Sequence, residues 1–425
     1  MQFHPVLALA TMSLLIGCGS PQPAQSRETT AAPGEPAPPV NYGALKAATA
    51  KPFKTDVVAT FDTPWALAFL PDRRMLVTEK PGRLWLVTGA GVKTPVRGLP
   101  AVHAEGQGGL LFVATSPDFA KTRHVYLTYS EPGDGGDGLA LARATLNTDA
   151  AQPALENLQV IWRQLPRGAG GQFGGYIAFA PDGGSLFLTS GERQRFTPAQ
   201  DPDQALGKIL HLTLDGKPAP DNPGAGTVGR TTIGVIDPPE NTGAAATAAI
   251  RKATMPAPNL TPAETWTTGH RNSYGLAFDP QGRLWETEMG PQGGDELNLI
   301  ERGKNYGWPV VSYGKNYDDT PIPSPAGQAK FQEPVLYWNP VIAPAGFAFY
   351  RGNMFPQWKT SAFVGGLASS ALVRIEFDGP VPREAERWDM GTRIRAVMSG
   401  PDGALWVLED GTDGRLLRLT SNSAG

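Results

Sequence analysis

The chain has 425 residues, 51 of them Gly and 41 Pro, with 40% hydrophobic and 18% charged residues. Gly and Pro punctuate strands and break helices, so this composition excludes a coiled coil, a helical bundle and a wholly disordered chain, and favours a turn-rich, all-β protein. The formal net charge of −3 comes with no run of Lys or Arg, so there is no electrostatic footprint for nucleic acid.

The chain opens with an apolar stretch from Val6 to Ile16, of signal-peptide length and too short to span a bilayer. Leu15-Ile16-Gly17-Cys18 resembles a bacterial lipobox. That predicts a lipoprotein signal peptide over 1–18, with the single cysteine, Cys18, lipidated as the mature N-terminus. The protein would be exported, anchored to the cell envelope facing the periplasm, and in contact with membrane only through that lipid. An ordinary signal peptide cut elsewhere is the alternative, because the segment before Val6 has no Lys or Arg. Either way the folded part lacks cysteine, which excludes disulfides and a thiol nucleophile.

Residues 19–50 are rich in Ala, Pro, Ser and Thr, with six prolines from Pro21 to Pro39. Such a segment cannot bury enough apolar surface to offset its ordering entropy. It reads as a disordered tether, with the folded domain over 51–421.

From there one phrase recurs: an apolar alternation, Pro-Asp or Asp-Pro, a turn, and a second strand. It runs through Ala66–Asp72 with Met75–Glu79, Val113–Asp118 with His124–Thr128, and Ile177–Gly183 with Leu186–Thr189. It returns in Leu276–Pro280 with Leu284–Glu288, in a degenerate copy at Gly346–Tyr350 with Ala362–Gly365, and in Ala396–Gly403 with Leu405–Leu408. Each copy reads as a β-hairpin with one face in a core. Six copies predict an all-β, six-bladed β-propeller, whose radial closure leaves few exposed strand edges. A β-sandwich with coincidental turns is the alternative.

Two segments break the rhythm. Glu131, Asp134 and Asp137 gather in a Gly-rich stretch, read as a solvated hairpin tip with a metal site as the alternative. Residues 222–262 are too long for a hairpin turn and carry only a short helix-compatible run from Ala244 to Lys252. They read as a loop insertion between blades, placed to overhang the channel.

The most specific segments are Trp266-Thr267-Thr268-Gly269-His270-Arg271-Asn272-Ser273-Tyr274-Gly275-Leu276 and Gly290-Pro291-Gln292-Gly293-Gly294-Asp295-Glu296-Leu297-Asn298-Leu299-Ile300, followed by Gly303-Lys304-Asn305-Tyr306-Gly307-Trp308-Pro309. With Gly106-Gln107-Gly108-Gly109-Leu110-Leu111, Leu206-Gly207-Lys208 and Arg393-Ile394-Arg395, the chain resembles the soluble quinoprotein aldose sugar dehydrogenases of the glucose/sorbosone dehydrogenase family. The resemblance covers about residues 55–420. It implies a six-bladed propeller that oxidises an aldose at C1 to the lactone, with hydride transfer to pyrroloquinoline quinone (PQQ), calcium assistance, and electrons passed on to an external acceptor.

The resemblance also implies roles for residues. Arg393 and Arg395 would hold PQQ carboxylates, which suit guanidinium forks. Arg271 and Asn272 would contact the quinone, Trp338 would line the cofactor, and Gln107 would lie near the substrate. Gly290 and Pro291 would turn backbone carbonyls to a cofactor calcium, and Glu296 with the Tyr306 carbonyl would hold a second calcium.

Departures cluster at the same place. The family's catalytic base is a His, and here Gln172 occupies that position in Gly171-Gln172-Phe173-Gly174-Gly175-Tyr176. A carboxamide hydrogen-bonds but has no titration useful to a base. Tyr176 replaces an Arg, Ser273 a Pro, Tyr274 a Gln, Met289 a His and Gln292 an Arg; Ala368 stands where some members place a cofactor-binding Lys, and Ala396 replaces an acid. His270 is a conceivable stand-in base. Two other readings stay open: a non-catalytic propeller that binds a ligand or partner, and a calcium-dependent lactonase, which needs carboxylates and amides converging on an axial metal.

Overall fold

The computed structural model describes residues 38–149, 152–378 and 381–422. Six antiparallel sheets, each of at least four strands, are arranged as a six-bladed β-propeller. The innermost strands of blades 1 to 6 are Pro64–Phe69, Leu110–Thr115, Gly174–Phe179, Ser273–Phe278, Pro344–Phe349 and Ile394–Ser399. Each packs on the next, and blade 6 returns to blade 1. The ring closes because Phe53–Phe61 pairs with Gly414–Ser421 as the outermost strand of blade 6, tying the start of the propeller to its end.

All six recurring phrases form the inner hairpins of the six blades. The aspartate in the phrase has a local task. Asp72, Asp182, Asp279 and Asp402 each accept the backbone N–H two residues on, at 2.9–3.2 Å. The side chain thereby mimics a backbone turn and fixes the hairpin. Asp279 and Asp402 also accept an indole N–H, from Trp285 at 2.9 Å and Trp406 at 3.1 Å, so the turn is stapled to the next strand.

A second regularity escaped the sequence. Every innermost strand slips register near its start, between Pro64 and Leu67, Leu110 and Val113, Gly174 and Ile177, Ser273 and Gly275, Ala345 and Phe347, and Ile394 and Ala396. A β-bulge re-aims the extra side chain. At these bulges stand Trp65, Phe112, Tyr176, Tyr274, Gly346 and Arg395. Their side chains meet: Phe112 and Tyr176 centroids lie 4.5 Å apart, Trp65 and Tyr274 5.5 Å, Tyr176 and Tyr274 6.1 Å, and the Arg395 guanidinium sits 4.1 Å from the Trp65 ring. Gly346 at φ 71° leaves the gap; a Cβ there would lie 2.7 Å from the Ala396 Cα. The cluster is a plug across the axis. Above it lies a polar cavity of about 390 Å³; below it lies an apolar one of about 270 Å³.

The chain joins the fold earlier than 51. Val40–Asn41 runs parallel to Leu336–Trp338 on the outside of blade 4. Arg387 holds the Leu45 and Tyr42 carbonyls at 2.8 and 3.0 Å, and Ala48 donates to the Arg387 carbonyl at 2.8 Å. On the segment's own side these bonds use backbone groups, so a stretch without hydrophobic alternation still docks, held largely by the Arg387 side chain. Residues 1–37, with the signal segment and Cys18, lie outside the described residues. Among the described residues no helix is long and apolar enough to cross a membrane.

The 222–262 insertion lies within blade 3, not between blades, joining the strands Lys208–Thr213 and Thr265–Thr268. It forms a small antiparallel ribbon, Thr232–Val235 with Arg251–Thr254, and its helical turn is Thr242–Ala245 rather than Ala244 to Lys252. Gln204 donates to the Gly234 carbonyl at 3.0 Å and Asn241 to Asp318 at 2.6 Å. The Gly-rich acidic stretch is a hairpin tip with Asp134 exposed and its other two acids paired: Glu131 with Arg163 and Arg167, Asp137 with Arg193 and His103.

Candidate active site

The upper cavity is lined by Lys80, Gln107, Met289, Arg393, Arg395 and Asp410, with Trp65 and Tyr274 of the plug as its floor. Arg393 precedes the innermost strand of blade 6 and Arg395 sits at its bulge. Both face the cavity and share one acid. Arg393 Nε donates to Asp410 Oδ2 at 2.8 Å, while Arg395 Nε and Nη2 reach Asp410 Oδ1 at 3.0 and 2.9 Å. Burial alone would raise the Asp410 carboxyl, but Arg395 and Arg393 outweigh it and hold it below the usual carboxylate range. Lys80 faces the same space; burial, then Arg395, pulls its ammonium below the ordinary lysine value.

Gln172 sits behind Gln107. Its backbone N–H donates to Gln107 Oε1 at 2.8 Å, and its φ of 56° is a left-handed conformation that a non-glycine residue adopts at a cost. With the amide oriented to satisfy its neighbours, Gln172 Nε2 donates to Glu192 Oε1, and its oxygen accepts from Arg271 Nη2 at 2.9 Å. Glu192 is fully buried. Burial pushes it up to about 7 against the pull of Arg271 and of the Phe196, Arg195 and Gln194 amides. Gln172 thus bridges an acid and a guanidinium.

Arg271 and Asn272 stand behind Met289. Arg271 Nη1 donates to the Met289 and Gly290 carbonyls at 3.1 and 2.7 Å, and Nη2 to the Tyr317 hydroxyl at 3.2 Å. Its Nε is buried without a partner among the described residues. Asn272 accepts from the Gly174 N–H at 3.3 Å and contacts Met289 Sδ at 3.7 Å. Of the two carbonyls expected to face a cofactor calcium, those of Gly290 and Pro291, the Gly290 carbonyl accepts from Arg271.

A cluster of acids lies nearby. In blade 4, register places Glu288 opposite Glu296 and Glu286 opposite Asn298. Period two puts all four on one face. Asn298 Nδ2 lies 3.1–3.2 Å from carboxylate oxygens of Glu286, Glu288 and Glu296, and Glu288 also accepts the Arg271 backbone N–H at 2.6 Å. Like charges opposed across a sheet are destabilising, and burial followed by Glu288 raises both Glu286 and Glu296 well above the usual range. An ion-sized space of about 10 Å³ is lined by Glu288, Glu296 and Tyr306, with Arg271 also on its wall. His270, Glu286 and Glu288 bring candidate ligand atoms within 4.8 Å of one another, and an acid-rich set of this kind suits a cation.

Two expectations fail. Trp338 is fully buried in the core beside Leu297, Leu336 and Phe347, and its Nε1 donates to Glu384 at 2.6 Å; it does not line the cavity, and Trp65 is the cavity's indole. His270 is no stand-in base: it is buried, Nε2 bonds Thr267 at 2.9 Å, Nδ1 bonds Glu288 at 3.2 Å, and its ring stacks on Tyr306. Sequence reasoning also passed over Lys80, Asp410 and Glu192. Lys80 and Asp410 each directly follow a glutamate at the end of the second strand of blades 1 and 6, a shared position that the repeat alignment could have exposed.

The glucose/sorbosone dehydrogenase family profile matches residues 61–233 and 252–418. The chain belongs to that family. It is 39% identical over 370 residues to aldose sugar dehydrogenase YliI of Escherichia coli, covering 84% of this chain and 90% of that one. A solved glucose dehydrogenase superposes with a TM-score of 0.75 at 42% identity, covering 87% of this chain and all of that one. The PQQ-bound aldose sugar dehydrogenase of Streptomyces coelicolor superposes with a TM-score of 0.66 at 28% identity, covering 88% and 99%.

Proposed function

We propose that the protein is a PQQ-dependent oxidoreductase that converts an aldose at C1 to the lactone and passes the electrons to an external acceptor. The observation that carries this reading is the upper cavity: Lys80, Arg393 and Arg395 against one carboxylate, over a floor of Trp65 and Tyr274. Its volume suits a small cofactor, its charge suits a polycarboxylate, and its floor suits a flat ring system. Bound PQQ supplies the acceptor for the C1 hydride. The chain's own residues bind and orient: the arginines fix carboxylates, the plug closes the bottom against water, and Gln107 offers a hydrogen bond at the wall.

The proton is the weak point. General base catalysis contributes typically about 10²–10⁴-fold, and Gln172 cannot supply it. We therefore propose slow turnover. Calcium is proposed at the Glu288–Glu296 cluster, as a structural ion; no step is routed through the Gly290 carbonyl. Titration calorimetry and absorbance with PQQ and calcium, on protein beginning at Pro38, test the reading. Saturable binding followed by dye reduction with an aldose supports it; absence of binding at saturating calcium overturns it. A second reading, a ligand-binding propeller without turnover, is favoured by the Gln172 bridge and predicts binding without dye reduction under any sugar. Export with a lipid on Cys18 is a further proposal; Cys18→Ser would move the protein from the membrane fraction to the soluble one.

A further inference from the structure

We propose that Lys80 is the third cationic arm of the cavity, pairing its ammonium with a carboxylate of the bound cofactor; this rests on the PQQ reading above. The side chain is built toward the cavity. Lys80 follows Glu79 at the end of the second strand of blade 1 and runs across Gly109, whose φ is 155°; a Cβ on Gly109 would lie 2.4 Å from the Lys80 Cγ. The glycine thus clears the path that the lysine stem takes. At its end the ammonium donates to the Gly106 carbonyl, in the loop that carries Gln107.

The charge balance shows what is missing. Lys80 makes no ion pair among the described residues. The one carboxylate that lines this cavity, Asp410, already serves both Arg393 and Arg395. Three cations against one anion leave a surplus of two positive charges in a half-enclosed space. A neutral sugar does not answer that surplus, whereas a tricarboxylate does. Ala368, where some family members place a cofactor-binding Lys, directly follows Leu367, which lines the same cavity. Lys80 brings an ammonium to the cavity from blade 1.

The test is a titration of PQQ with calcium into wild type, Lys80→Met, Lys80→Arg and, as a control, Lys217→Met on the exposed turn of blade 3. Removing one charge-assisted bond weakens binding by about 10- to 100-fold, so Lys80→Met is expected to raise Kd by that factor and flatten its salt dependence. Lys80→Arg should stay within about threefold of wild type, and Lys217→Met should match it. Equal melting of all four proteins confirms that folding is not the cause. Wild-type binding with an unchanged Lys80→Met Kd overturns the role of Lys80 alone. Failure of wild type to bind PQQ overturns the cofactor reading, and the role of Lys80 falls with it.

Discussion

The Gln172 carboxamide donates to the Glu192 carboxylate, and that bond decides how the base position can be repaired. An imidazole at 172 would find a buried acid already in place to orient it and to stabilise its charged form, the arrangement that makes a histidine an effective base. Gln172→His is expected to raise kcat for dye-coupled aldose oxidation by about 10²–10⁴-fold while leaving the PQQ Kd within a few-fold. Steady-state kinetics with a sugar panel checks this. An unchanged kcat with intact PQQ binding would place the defect elsewhere.

Glu192 also imposes a pH signature on stability. Burial raises it from 4.5 to about 7 in the folded protein. A carboxyl raised on folding is held equally in both states below about pH 4.5, and destabilises the fold progressively as pH rises toward 7. Its contribution falls by up to about 1.36 kcal/mol per pH unit in that window. Melting temperatures from pH 4.5 to 8 should show a decline in wild type that is shallower in Glu192→Gln.

Arg395 has two duties, one toward ligand and one toward fold. Arg395→Met removes two of the bonds to Asp410 and the cation over Trp65. Leaving a partly buried carboxylate short of its partner is destabilising, so the variant should melt several degrees below wild type and bind PQQ at least about tenfold more weakly. Arg395→Met,Asp410→Asn should recover much of the melting temperature and none of the affinity. Thermal melts and calorimetry separate the two effects.

Trp338 is predicted to matter for the fold alone. Trp338→Phe keeps an aromatic in the core but leaves the buried Glu384 short of an indole donor, at a cost of about 1–3 kcal/mol. Denaturant midpoints should fall, while the PQQ Kd stays at the wild-type value.

Metal removal should act through blade 4. Chelation exposes the mutual repulsion of Glu288 and Glu296, opposed across the sheet, and is expected to lower the melting temperature at pH 8. Glu296→Gln should remove that sensitivity and melt higher than chelated wild type. Calorimetric scans with and without chelator check both.

The hairpins were legible because Asp side chains close their turns locally; Asp279 and Asp402 write fold information into a four-residue window. The paired Arg393 and Arg395 were legible as a motif, because two guanidinium forks so close in sequence suit a polycarboxylate. Trp338 misled, since a sequence shows an aromatic but not its depth, and the hydrogen bond to Glu384 spans 46 positions. The bulges were invisible: a one-residue slip leaves no mark in hydrophobic alternation, yet it decides that Trp65, Tyr274 and Arg395 face the axis. Docking of residues 40–48 was invisible for a related reason: the Arg387 side chain that holds the Leu45 and Tyr42 carbonyls lies more than 300 positions away.

The plug gives the molecule a single working door. A propeller axis is topologically a tube, open to solvent at both ends, and here six bulges have divided it into two dead-end chambers. In the proposed reaction sugar, lactone and electron acceptor would share the upper mouth and take turns there, so a large acceptor is expected to compete with the sugar rather than act alongside it. That traffic makes ping-pong kinetics, with substrate inhibition at high sugar, the natural behaviour of this architecture.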